Sequence, residues 1–178
     1  MGIFSRKEKI KGSDLGKTLL VFVDVFSKQD YESIKSTIEE IQKESSLNFS
    51  QILFEYCCLK IFTVDFAVYQ TFGNTDKKLE ILGSFYEGIE EWCNENASHF
   101  PNMYDEIKLR LLDYTVSLKD EADNVKNLGP GWPIGKVFAK YCRIEKDPAK
   151  TKIAMIGGVI FSGYLSTVMK NVDSFHIV

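Results

Sequence analysis

Segment 48–72 constrains the fold most. Asn48 is placed to cap a helix, and Gln51, three residues on, is its reciprocal partner. Leu47 and Ile52 sit where a hydrophobic staple would close. Between Ile52 and Phe72 fifteen of 21 residues are apolar, and Gly73 ends the run. A helix that is apolar on nearly every side has little solvent face of its own and must be surrounded. The expectation is an all-α fold with this helix at its centre.

The rest of the chain supplies the surrounding helices. Residues 13–28 carry Leu19-Leu20-Val21-Phe22-Val23-Asp24-Val25-Phe26, a run that alone fits a buried strand or a buried helix. No second strand offers a partner, so a helix is expected, with Asp14, Lys17, Asp24 and Lys28 on one stripe. Residues 30–44 place Tyr31, Ile34, Ile38 and Ile41 at helical spacing behind an Asp30 cap. Residues 75–98 turn Leu79, Leu82, Tyr86, Ile89 and Cys93 inward, and residues 102–124 do the same with Ile107, Leu111, Tyr114 and Leu118. Gly129-Pro130-Gly131-Trp132-Pro133 is the strongest break. Beyond it, 133–146 buries Ile134, Val137, Phe138 and Tyr141. Asp147 as cap with Pro148 behind it opens a last helix to about Val172. The reading is a single irregular globular bundle of about seven helices, one domain over 1–178. The basic start 1–12, with Arg6, Lys7, Lys9 and Lys11, is expected to be flexible.

Composition narrows the function classes. The chain has 178 residues, 44% of them hydrophobic and 26% charged, as in soluble globular proteins. A net charge of −3 gives no general field for nucleic acid, and aromatics do not interleave with Lys and Arg. Cys57, Cys58, Cys93 and Cys142 form no C-x-x-C pair, and only two His are present. They read as reduced thiols of a cytoplasmic protein. The N-terminus lacks the apolar core of a secretory signal, and Arg6 stands where myristoylation wants Ser or Thr.

Several patterns imitate chemistry. Gly12-Ser13-Asp14-Leu15-Gly16-Lys17-Thr18 resembles a phosphate loop, but one residue is missing between its glycines and no strand precedes it. Glu91, Glu95 and His99 share a helix face at i, i+4, i+8, yet no Glu-x-x-His supports a bundle metal site. There is no Gly-x-Ser-x-Gly elbow. No catalytic residue, metal or cofactor is assigned, and an enzyme is the less favoured reading.

Three features remain as candidates. Glu55, Lys60, Thr63, Gln70 and Thr71 share one arc of the third helix, about 160° wide, whereas Asp65 projects from the opposite, apolar side. Asp65 is therefore expected to be a buried polar anchor paired with a Lys, a Tyr hydroxyl or a helix N-terminus. In the last helix the 17 residues from Ile153 to Met169 carry no charge. They span roughly 25 Å, short of a ~30 Å bilayer core. The row Ala154, Gly158, Ser162 and Ser166 lets another helix approach closely, so a buried soluble helix is expected rather than a membrane anchor. The third feature is charge. No Lys or Arg occurs from Leu79 to Ile107, whereas Glu80, Glu87, Glu91 and Glu95 line one stripe. Lys136, Lys140, Arg143, Lys146, Lys150 and Lys152 make the region after Trp132 basic.

The first functional expectation is a non-catalytic interaction protein. It would dock a basic protein surface, or a second copy of itself, through the acidic stripe. The alternatives are an apolar small-ligand binder and a helical enzyme built on inward-facing carboxylates. A large enclosed apolar pocket would favour the former, two or more clustered buried carboxylates with His or Cys nearby the latter, and neither feature would leave the docking reading.

Overall fold

A computed structural model describes residues 8–23, 28–95 and 102–178. Among the described residues there are eight α-helices: α1 Gly12–Leu19, α2 Lys28–Gln42, α3 Phe49–Phe72, α4 Asp76–Glu95, α5 Met103–Asp120, α6 Ala122–Leu128, α7 Gly131–Tyr141 and α8 Asp147–Asp173. A 3-10 turn, Leu20–Phe22, extends α1. Two short strands, β1 Glu8–Ile10 and β2 Phe175–Ile177, pair in parallel, Glu8 opposite Phe175 and Ile10 opposite Ile177. Lys77 Nζ donates to the Ile177 carbonyl at 2.9 Å and ties α4 to this pair.

The chain is all-α, with local differences from the sequence reading. Within the stretch 1–12 expected to be flexible, Glu8–Ile10 form β1, paired with β2. Residues 1–7 lie outside the described residues. The first helix tightens into the 3-10 turn at Leu20, and Asp24 lies outside the described residues. Asp30 lies inside α2, which begins at Lys28, and so is not its cap. The fifth helix breaks at Glu121, and α6 continues to Gly129, whose φ of 79° ends it. Asp147 is the first residue of α8 rather than its cap, but it still places a negative charge in the positive first turn.

The helix α3 is central for the reason its composition gives. Asn48 accepts the Gln51 N–H at 3.0 Å, and Gln51 returns a bond to the Asn48 N–H at 3.0 Å. Two apolar clusters meet across this helix. One joins Ile34, Ile38 and Ile41 of α2 with Tyr56 and Phe62 of α3, Phe138 of α7 and Phe161 of α8. The other joins Leu15 and Leu19 of α1, Ile61 and Val68 of α3, Phe85 and Ile89 of α4, and Val172 of α8. The buried seam of α4 runs through Ile81, Phe85, Ile89 and Cys93, so Leu79 points to solvent, 64% exposed, against its expected inward place.

The helices α7 and α8 pack most intimately. Gly131 and Gly135 of α7 face Ala154, Gly158 and Ser162 of α8. A Cβ on Gly135 would lie 1.9 Å from the Ala154 carbonyl oxygen, and one on Gly158 would lie 2.6 Å from the Gly131 oxygen. The small-residue row thus meets a Gly-x-x-x-Gly row on its partner, and the two backbones nearly touch. Ser162 donates to the Gly158 carbonyl at 2.8 Å. Ser166, further along, is exposed and lies beyond this contact. The expectation of a buried α8 holds for one stripe only. Ile153, Ala154, Gly157, Phe161, Val168 and Val172 are buried, whereas Met155 and Val159 face outward, 60% and 73% exposed. By length and composition α8 could cross a membrane, but that test passes core helices too.

Candidate functional site

On α3 the structure buries most of the polar arc, leaving Gln70 exposed and Thr71 half-buried at its end. Glu55, Lys60 and Thr63 are all buried, although they stand on the side read as polar. Other helices cover this arc because too few residues of α3 could form a solvent face. Each buried group then has to be satisfied separately. Thr63 donates back to the Leu59 carbonyl at 2.8 Å. Glu55 meets Arg110 of α5, whose Nη2 lies 3.0 Å from Oε1 and whose Nε lies 3.3 Å from Oε2. Arg110 also pairs with Glu106, and its guanidinium stacks 4.2 Å from the Tyr141 ring centroid. Burial outweighs this pairing at Glu55 and raises its carboxyl pKa. At Arg110 burial opposes the charge, but the two carboxylates prevail and raise the pKa.

Lys60 has no such answer. Its side chain is 2% exposed and sits against two tyrosines, with Nζ 4.5 Å from the Tyr164 ring centroid and 5.9 Å from that of Tyr56. Among the described residues its ammonium has no ion pair, yet it is not one of the buried polar atoms left unsatisfied, so Nζ keeps contact with the open groove. It lines a cavity of about 570 Å³ that opens to solvent between α3, α8 and the 3-10 turn. Val21, Phe22, Val159 and Ile160 form apolar walls, and Gly163 and Thr167 lie along the α8 side. Gly163 would accept a Cβ with no atom within 4 Å, so the space beside it is open.

A second cleft of about 430 Å³ lies over the Glu55–Arg110 pair, beside Phe54, Glu106, Tyr141 and Arg143. Its charges largely answer one another. Arg110 lies between two carboxylates, and Lys140 donates to Asp113 at 2.8 Å. This network closes on itself.

Asp65 is half-buried and accepts a hydrogen bond from the Tyr86 hydroxyl of α4. Burial raises its pKa, against the lowering effect of that bond and of Lys78. Tyr86 is pushed well up by the same burial and by the Asp65 charge. Asp65 also borders a pocket with Phe62, Phe66 and Tyr69.

The acidic stripe divides. Glu80 is engaged within the fold: its carboxylate accepts the Ser13 N–H at 3.0 Å and so caps α1. Glu87, Glu91 and Glu95 are exposed and have no ion pair among the described residues. His99 lies outside the described residues, and no three metal-ligating side chains converge among the rest. Half of the basic region is matched elsewhere, Lys136 to Glu121, Lys140 to Asp113 and Lys152 to Glu40, while Arg143, Lys146 and Lys150 have no ion pair among the described residues. A strand, β1, does precede the phosphate-loop imitation, contrary to the sequence reading, but the Gly12–Thr18 stretch is itself helical. A Cβ on its Gly16 would lie 2.3 Å from the Ile81 carbonyl oxygen, so that glycine serves the contact of α1 with α4.

All four cysteines are free and buried. Burial pushes the Cys58 and Cys142 thiols well up and Cys93 up to about 11, so these three stay protonated at neutral pH. The groove residues were missed because a lysine at helical spacing beside Glu55 and Thr63 reads as solvated. The available signal was its position mid-way along an otherwise apolar, capped helix. Compared with known proteins, the chain matches no family model, and neither a curated protein nor a solved structure matches it.

Proposed function

We propose that the protein is a non-catalytic binding protein that holds a small, largely apolar ligand in the groove between α3, α8 and the 3-10 turn. The observation that carries this reading is the pair of exposed apolar walls, Val21 at 65% and Val159 at 73%, over an open cavity of about 570 Å³. Apolar side chains left in water on both sides of one concavity are characteristic of a site awaiting an occupant. The volume lies within the ~300–1,000 Å³ of small-ligand sites. Native mass spectrometry of the wild type and of Gly163→Leu tests it. The wild type is expected to carry a co-purified small molecule that the filled groove excludes. Identical bare masses in both, with no ligand taken up from a mixed apolar library, would refute the reading.

A second reading keeps the acidic stripe. Glu87, Glu91 and Glu95 remain exposed and without internal cations, which favours docking of a basic protein surface. Internal pairing of Lys136, Lys140 and Lys152 argues against a second copy as that partner. Changing the three glutamates to Gln should abolish a salt-sensitive association. An unchanged set of partners at low and high salt would remove this reading.

A further inference from the structure

We infer that the groove recognises a single monoanionic head, a carboxylate on an apolar tail, and that Lys60 is the residue that reads it. This inference rests on the groove reading above and adds the chemistry of the ligand.

The argument begins with what Lys60 lacks. The stem of Lys60 is buried and its ammonium is hydrated only through the open groove, so an anion seated there would replace that hydration at short range. Glu55, one and a half turns earlier on α3, is equally buried and has Arg110 as its partner. Among the described residues Lys60 has the faces of Tyr164 and Tyr56, whose quadrupoles attract the ammonium but accept no proton. A partner can reach the ammonium through the groove that the side chain lines. The groove therefore has a cationic point on an apolar concavity, and its best complement is an anion attached to an apolar body.

The charge count selects the head. One lysine neutralises one negative charge. A phosphate near its second ionisation would bring between one and two charges and leave the excess buried among Val21, Phe22, Val159 and Ile160. A monocarboxylate leaves no such excess. Lysine also presents a compact point charge rather than the planar fork with which arginine grips phosphate.

Gly163 supplies a second, independent observation. A glycine inside a helix costs roughly 0.5–1 kcal/mol relative to alanine. This one has ordinary helical backbone and no neighbour within 4 Å that would forbid a side chain. It lines the groove together with Lys60, and without a side chain it leaves that part of the wall open. Gly83 on α4 is equally open, and nothing in the structure explains it, so it serves as the control.

The test is isothermal titration of the full chain with decanoate, decanol and decyl phosphate. The proteins are wild type, Lys60→Met, Gly163→Leu and Gly83→Leu, each checked for helical content by circular dichroism. Lys60→Met keeps the length and apolar character of the stem. Wild type should bind decanoate roughly tenfold to a hundredfold more tightly than decanol, the value of one charge-assisted contact, and more tightly than decyl phosphate. Lys60→Met should bind decanoate and decanol alike. Gly163→Leu should bind neither, and Gly83→Leu should match wild type. Equal affinity of wild type for decanoate and decanol, with both lost in Gly163→Leu, overturns the carboxylate inference but leaves the groove reading intact. Tighter binding of decyl phosphate overturns it in favour of a dianionic head. Binding that is unchanged in Gly163→Leu overturns the inference and the groove reading together.

Discussion

Replacing Gly135 with alanine tests whether the α7–α8 contact is as tight as it looks. The added Cβ would sit 1.9 Å from the Ala154 carbonyl oxygen and 2.9 Å from the Gly158 nitrogen. Ordinary contact begins near 3.4 Å, so the helices must part locally by about 1.5 Å. Both obstructing atoms are backbone, so no side-chain rotation relieves the clash. Overpacking of this kind costs ~1–3 kcal/mol, and the better helix propensity of alanine offsets ~0.8–1. Moving α7 away also loosens Phe138 against Phe161 and Ile153 in the same cluster. The net expectation is a loss of about 1 kcal/mol, or a melting temperature lower by roughly 2–4 °C for a chain of this size. Denaturant unfolding followed by circular dichroism measures it, with Gly83→Ala as the reference. There the propensity gain stands alone and stability should rise by up to ~1 kcal/mol. Refutation would be a Gly135→Ala protein that is stabilised as much as Gly83→Ala.

Three more outcomes follow from the buried polar groups. Arg110→Met strands Glu55, and chemical denaturation should show a loss of ~3–5 kcal/mol, whereas the double change Glu55→Met with Arg110→Met should restore stability to near the wild-type value. Asp65→Asn should raise the melting temperature near neutral pH. The folded-state pKa of Asp65 is raised, so its ionisation weighs against folding once the pH exceeds that value. Melts across pH should show the gain vanish as the pH falls below ~3.9, where the unfolded carboxyl is protonated too. A destabilised Asn variant at neutral pH would show instead that Tyr86 needs the charge. Tyr114→Phe removes a buried hydroxyl that has no hydrogen-bond partner among the described residues, and equilibrium unfolding should find it neutral or stabilised by up to ~1 kcal/mol.

The architecture was legible where one signal sufficed. The Asn48–Gln51 box, Gly73 and the breaks at Gly129 and Pro148 are local chemistry, and the helices begin or end within a residue or two of them. Burial was less legible because it depends on what covers a face. A helical wheel marks Glu55, Lys60 and Thr63 as a polar arc but does not reveal that α5 and α8 cover it. Glu80 read as one of four equivalent acids until its neighbour proved to be the N-terminus of α1, far away in sequence. The small-residue row of α8 was visible by its spacing. Its mate Gly131-x-x-x-Gly135 was hidden because Gly131 was read as part of the break at 129–133 and only Gly135 as helix. Strand β1 escaped notice because three residues with a distant parallel partner leave no periodic trace.

The most direct measurement of the central claim is nuclear magnetic resonance of the lysine side chains, with ¹³C-labelled ε-methylenes, during titration with decanoate. The account predicts that the Lys60 resonance, assigned by its absence in Lys60→Met, moves and saturates with the ligand while surface signals such as Lys146 and Lys150 stay still. Decanol should leave it nearly unmoved. A Lys60 resonance that ignores decanoate, or shifts no larger than those of the surface lysines, would contradict the assignment of Lys60 as the residue that reads the ligand's charge.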